Sequence, residues 1–195
     1  VYYGMISLMD KYIGVILDRL EELGLADNTL VLFTSDHGHL FGHHGLIAKG
    51  PFHYEDLVRV PFIARWPKRI SAAAQSDALQ SLVDIAPTFL SAVGGDVPRT
   101  MSGVNQLPVW CGKADSARDC VVVENRHEPT TVHFKTYVDE RYKLTVYYEQ
   151  DYGELFDLRE DPGEVENLWE EEEHASLKAD LTRKLLFAEM GKEPL

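Results

Sequence analysis

The stretch TSDHGHLFGHHGLIAKG, residues 34–50, carries one aspartate, four histidines, four glycines and one lysine directly after an apolar run. Asp36 offers a hard anionic oxygen and His37 an imidazole nitrogen, and Gly38 lets the backbone turn so that both face one point. Such a pair can take part in holding a divalent cation. Lys49, farther along the same stretch, can stabilise an oxyanion if it is fixed in a dry site. Each residue also has a plainer reading: Asp-His-Gly as a hydrogen-bonded loop, His39, His43 and His44 as loop packing, Lys49 as a solvated charge. Glu55, Asp56 and Arg59 read as a structural ion-pair cluster bracing the loop.

The surrounding elements determine where this loop sits. Met5, Leu8, Met9, Tyr12, Ile13, Ile16, Leu20 and Leu23 recur at helical spacing, and Gly24 is placed to end that helix. No capping residue precedes Val1, so the sequence reads as entered part-way through a larger protein. Thr29 to Thr34 is apolar on consecutive positions, as in a strand covered on both faces. A helix feeding such a strand predicts a mostly parallel α/β sheet sandwiched by helices, in which ligands sit beyond the carboxyl ends of the strands. Ser35 to Gly38 falls at that position. A second strand is expected over Val60 to Trp66 and a helix over Asp84 to Val93, with Pro87 in its first turn.

From Gly94 to about Ala117 the chain is rich in Gly, Pro and Ser, which suggests a surface connection. This divides the chain into an α/β part, residues 1–112, and a small C-terminal α+β subdomain, residues 113–195. In the latter, Cys120–Glu124, His133–Val138, Tyr142–Tyr148 and Glu154–Leu158 predict a small antiparallel sheet. Glu171 to Met190 predicts a closing helix with an acidic first turn and Leu177, Leu181, Leu185 and Leu186 on one face.

Composition narrows the partners. With 195 residues, 45% of them hydrophobic, the chain can build one sizeable core or a main domain with an appendage. A net charge of −13 argues against nucleic acid and against an anionic membrane surface. No apolar run approaches the roughly 20 residues that span a bilayer, and no signal-peptide core is visible. The expectation leans towards a cytoplasmic location, with Cys111 and Cys120 as free thiols.

The combination is more specific than its parts. Residues 28–67, NTLVLFTSDHGHLFGHHGLIAKGPFHYEDLVRVPFIARWP, closely resemble the sulfatase family of the alkaline phosphatase superfamily. SLVDIAPTFLSAVGG, MSGVNQLPVW and RYKLTVYYEQDYGELFDLREDPGEVENLW resemble later segments of that family, so the likeness spans nearly the whole chain. The resemblance implies an alkaline phosphatase-like fold and hydrolysis of sulfuric esters of a small molecule or sugar. It implies Asp36 and His37 as ligands of a divalent metal, usually Ca2+, with Mg2+ or Mn2+ open because nitrogen is a less typical ligand for so hard a cation as Ca2+. It makes Lys49 the sulfate-binding and catalytic lysine, with His43 or His44 lining the pocket and His44 favoured for catalysis.

The sequence departs from the family in two respects. Sulfatases attack with a formylglycine made from a Cys or Ser in Cys-x-Pro-x-Arg or Cys-x-Ala-x-Arg, and neither Cys111 nor Cys120 has that context. Two ligands also fall short of the six to eight oxygens that calcium takes, roughly. The expectation is therefore the C-terminal portion of a sulfatase, inactive alone, whose formylglycine and remaining ligands lie in an N-terminal portion. A phosphodiester or phosphonate monoester hydrolase of the same superfamily, or a non-catalytic module derived from the fold, are the alternatives.

Overall fold

The computed structural model describes residues 1–127 and 132–192. Helix α1 (Tyr2–Glu22) ends at Gly24, whose φ of +67° favours glycine. Gly24 N–H donates to Glu21 O and Leu25 N–H to Leu20 O, so two terminal carbonyls are satisfied. No residue of α1 is buried, and its apolar positions, Met5, Leu8, Tyr12 and Ile16 among them, stand exposed.

Strands β1 (Val31–Thr34) and β2 (Phe62–Arg65) pair with each other antiparallel, Val31 opposite Arg65 and Thr34 opposite Phe62. The parallel pairing that the helix–strand order predicts is therefore not made by these two strands. The reason lies in their connection: it holds a short 3-10 turn over His43–Gly45 and the four-residue helix α2 (Glu55–Val58), not the long crossover helix that brings parallel strands side by side. Both strands are shorter than expected, β2 beginning after Pro61, which has no N–H to give a ladder. β1 is half-buried, not covered on both faces, and Ile63 of β2 is 60% exposed.

Helix α3 (Ile85–Ala92) follows a short turn over Leu82–Asp84, with Pro87 in its first turn as expected. Asp84 is buried and gathers the region. Its carboxylate accepts from Ser81 N at 3.0 Å, Val104 N at 2.8 Å and Gln106 Nε2 at 2.9 Å, and pairs with Arg118. These bonds tie α3 to α4 (Leu107–Trp110) and to the chain entering the C-terminal sheet. Cys111 and Cys120 are free thiols.

Strands β3 (Val121–His127), β4 (Val132–Val138), β5 (Tyr142–Tyr147) and β6 (Gly153–Asp157) form the predicted antiparallel sheet in the order β3-β4-β5-β6. Side chains alternate between its two faces. Tyr137, Leu144 and Leu155 pack against Leu181 and Leu185 of α5 (Ala175–Met190), and these five form the core. The other face carries Phe134, Thr136, Lys143, Thr145, Glu154 and Phe156, and turns towards residues 53–55. Leu186 does not join the core face; it is 56% exposed, because it sits a quarter-turn round from Leu185. The acidic run falls outside α5: Glu172 and Glu173 form a separate short turn before it, so the first turn of α5 has no acid. Among the described residues, no helix is long and apolar enough to cross a membrane.

Candidate active site

β1 delivers Ser35 to Gly38 at its carboxyl end. His37 N–H donates to Asp36 Oδ1 at 3.0 Å, and Ser35 Oγ lies 3.2 Å from the same oxygen. The His37 N–H above all holds the Asp36 carboxyl below the usual carboxylate range, so it is charged at neutral pH. His37 Nδ1 lies 2.9 Å from Gly38 O. A carbonyl only accepts, so Nδ1 donates to it, and in the neutral ring Nε2 then keeps its lone pair, the form that ligates a metal. Nε2 points to Asp36 Oδ2 at 3.4 Å.

Gly38 is required by close approach. Its N–H donates to Leu57 O at 2.9 Å, and a Cβ there would lie 1.8 Å from Asp56 O. The glycine-rich loop then doubles back: Leu40 N–H donates to Ala48 O at 3.0 Å, and Gly42 N–H to Leu46 O at 2.8 Å. Leu40, 1% exposed, anchors it. The return brings Lys49 Nζ to 2.9 Å from His37 Nε2. Asp36 and Lys49 thus both approach His37 Nε2, although twelve positions separate the two basic side chains.

His43 and His44 do not join them. His43 Nδ1 lies 2.8 Å from Asp56 Oδ1, and His44 Nε2 lies 3.7 Å from Asp56 Oδ2. His44, at φ +54°, stacks on Tyr54 with ring centroids 3.7 Å apart and planes within 8°. Both histidines line a separate cleft of about 540 Å³ with Tyr54, Glu154, Phe156 and Asn167. Tyr54 OH donates to Glu154 at 3.3 Å, and burial beside that carboxylate raises its phenol to about 12.

The bracing cluster is real, with a different cation from the expected one. Lys143 Nζ, 1% exposed, lies 2.6 Å from Glu55 Oε1 and 2.8 Å from Glu164 Oε1, and donates to His53 O at 2.9 Å. Arg59 pairs with no carboxylate among the described residues. Burial raises the Glu164 carboxyl and Lys143 opposes that rise. His53 Nδ1 lies 2.7 Å from Thr136 Oγ1, and burial, reinforced by Lys143, lowers the imidazole to about 4. Lys143 was not legible as part of this cluster, because alternating polar residues on a strand ordinarily face water, and His53 and Glu164 lie in loops whose partners are distant in sequence.

Asp36 and His37 suit a divalent cation: a charged carboxylate and an imidazole lone pair lie side by side. They fill only part of a coordination shell, and among the described residues no three His, Cys, Asp or Glu side chains gather as a metal site.

Residues 42–190 match the family model of the C-terminal part of N-sulphoglucosamine sulphohydrolase. The chain is 34% identical to an N-acetylglucosamine-6-O-sulfatase of Bacteroides thetaiotaomicron, over 94% of this chain and 34% of that protein. Among solved structures, BT4656 in complex with its substrate D-glucosamine-2-N,6-O-disulfate superposes with a TM-score of 0.89 at 30% identity, covering 97% of this chain and 40% of that one. The phosphonate monoester hydrolase of Agrobacterium radiobacter superposes at 0.88 with 28% identity, covering 98% and 41%. A chain with this α/β layer, this C-terminal sheet and these matches belongs to the sulfatase family of the alkaline phosphatase superfamily, as its C-terminal portion. It spans between a third and half of the length of these relatives.

Proposed function

We propose that the chain supplies part of the active site of a sulfuric ester hydrolase acting on a sulfated sugar. The observation that carries this reading is that Asp36 Oδ2, at 3.4 Å, and Lys49 Nζ, at 2.9 Å, both approach His37 Nε2 at the end of β1. Asp36 and His37 would hold a divalent cation, calcium first, with magnesium or manganese as alternatives. Such a cation supplies Lewis-acid polarisation of a sulfuryl oxygen. Lys49 would leave His37 for a sulfate oxygen and offset charge growing on the ester oxygen as the S–O bond breaks. His44, stacked and held by Asp56, would line the approach to the pocket and not contact the reacting atoms.

The nucleophile, a formylglycine in sulfatases, and the remaining ligands would come from the N-terminal sulfatase portion. The relatives' greater length supports this, as does the exposed apolar surface of α1 and β2, which that portion would cover. These 195 residues alone would then be inactive. The sugar reading is supported by two relatives, the N-acetylglucosamine-6-O-sulfatase and the structure bound to a disulfated glucosamine. A phosphonate or phosphodiester hydrolase is a second reading, supported by the Agrobacterium enzyme's likeness.

The test is turnover by the full-length protein of matched sulfate and phosphate monoesters and diesters, including a 6-O-sulfated glucosamine. A higher kcat/KM for the sulfates supports the reading. Preference for phosphate esters favours the second, and no turnover of either contradicts both.

A further inference from the structure

Lys143 sits on the C-terminal sheet, yet two of its ammonium's three partners belong to the segment that follows Lys49. It donates to His53 O, pairs with Glu55 and is balanced by Glu164, whose other oxygen accepts from Glu55 N at 2.5 Å. Glu55 opens α2, and the opposite end of that turn bears Leu57, whose carbonyl takes the Gly38 N–H. Gly38 in turn offers the carbonyl that selects the His37 tautomer. One continuous series of hydrogen bonds and ion pairs therefore runs from the sheet through a single helical turn to His37. A second branch passes from His53 through Thr136 Oγ1 to Thr145 Oγ1 at 2.8 Å.

We propose that Lys143, with Glu55 and Glu164, is a positioning group for the candidate active site. The triad anchors α2 to the C-terminal sheet, so that Leu57 O holds Gly38, and with it His37 and Asp36, in register with Lys49. The proposal rests on the reading of those three residues as the site. Its chemistry is specific: an aliphatic residue of similar length could fill the space, but only a cation can bind a backbone carbonyl, the buried Glu164 carboxylate and the partly buried Glu55 carboxylate at once. An ion pair as buried as Lys143–Glu164 is a poor source of net stability, which leaves the placing of a backbone segment as the role it can perform.

The test is amide hydrogen exchange in the full-length protein. In Lys143→Met, Glu55 and Glu164 face each other unpaired, and this variant can fail to fold. The double variant Lys143→Met/Glu164→Gln removes that repulsion and still lacks the anchor. The expected result is exchange at Gly38 and Leu57 faster by about tenfold or more, with the β4–β5 ladder amides changed by less than about threefold. Unchanged protection at Gly38, or equal loss at Gly38 and in the ladder, overturns the proposal. Because exchange is read without turnover, failure of the proposed reaction leaves this result interpretable.

Discussion

Lys49 Nζ and His37 Nε2 lie 2.9 Å apart, and the Gly38 carbonyl, 2.9 Å from His37 Nδ1, determines that the nitrogen facing the lysine carries a lone pair. A single loop thus orients one imidazole and brings an ammonium against it. Both a carboxylate, Asp36, and an ammonium, Lys49, approach that same nitrogen, the pair of charges that the proposed metal and oxyanion would call on.

If Lys49 stabilises charge on the departing ester, its removal is felt in the chemical step. Lys49→Ala in the full-length protein is expected to lower kcat on a sulfate ester by roughly 10²–10³-fold, with a smaller change in KM. Steady-state kinetics on an activated and an unactivated leaving group check this. Equal losses on both would place the lysine in binding alone.

For the cation, His37→Ala is expected to weaken calcium binding by roughly 10–100-fold or more, as loss of an oriented ligand does. Calorimetric titration of the full-length protein measures it directly. An unaltered affinity would remove His37 from the coordination shell.

Gly38→Ala tests the packing that places the pair. An added Cβ would lie 1.8 Å from Asp56 O, so either α2 or the loop must move. The expected cost is about 1–3 kcal/mol, seen as a lower Tm together with weakened cation binding. A variant with unchanged melting would show that the close approach is not required.

Acidification should report on His53. Its imidazole is lowered from the usual 6.5 to about 4 in the folded protein, first by burial and then by Lys143. The unfolded chain binds the proton more readily, so this contribution is complete above pH 6.5 and is lost as pH falls towards 4, by about 3 kcal/mol in all. Urea midpoints of the wild type and His53→Gln across that range check it: the variant should show a flatter profile. Parallel profiles would contradict the assignment to His53.

Much of this was legible in the chain. The period of α1, the glycine that ends it, the four β-prone runs and the Asp-His pair with its later lysine all follow from local pattern, because each depends on neighbours in sequence. What was not legible depends on partners distant in sequence. The pairing sense of β1 and β2 follows from what fills their connection, and no pattern within either strand encodes it. Lys143 reads as an outward-facing strand residue until the segment around His53 is known to cover that face. Arg59 was assigned the bracing role by proximity in sequence, whereas Lys143, 88 residues from Glu55, fills it. Residue type alone suggests His43 and His44 as pocket residues, but not the Asp56 and Tyr54 contacts that hold them.

The most direct measurement is a crystal structure of the full-length protein grown with calcium and sulfate. The account predicts a cation about 2.3–2.6 Å from an Asp36 oxygen, with His37 Nε2 completing an adjacent position and Lys49 Nζ bonded to a sulfate oxygen. Electron density showing the metal bound elsewhere, with Asp36, His37 and Lys49 turned to bulk water, would contradict it.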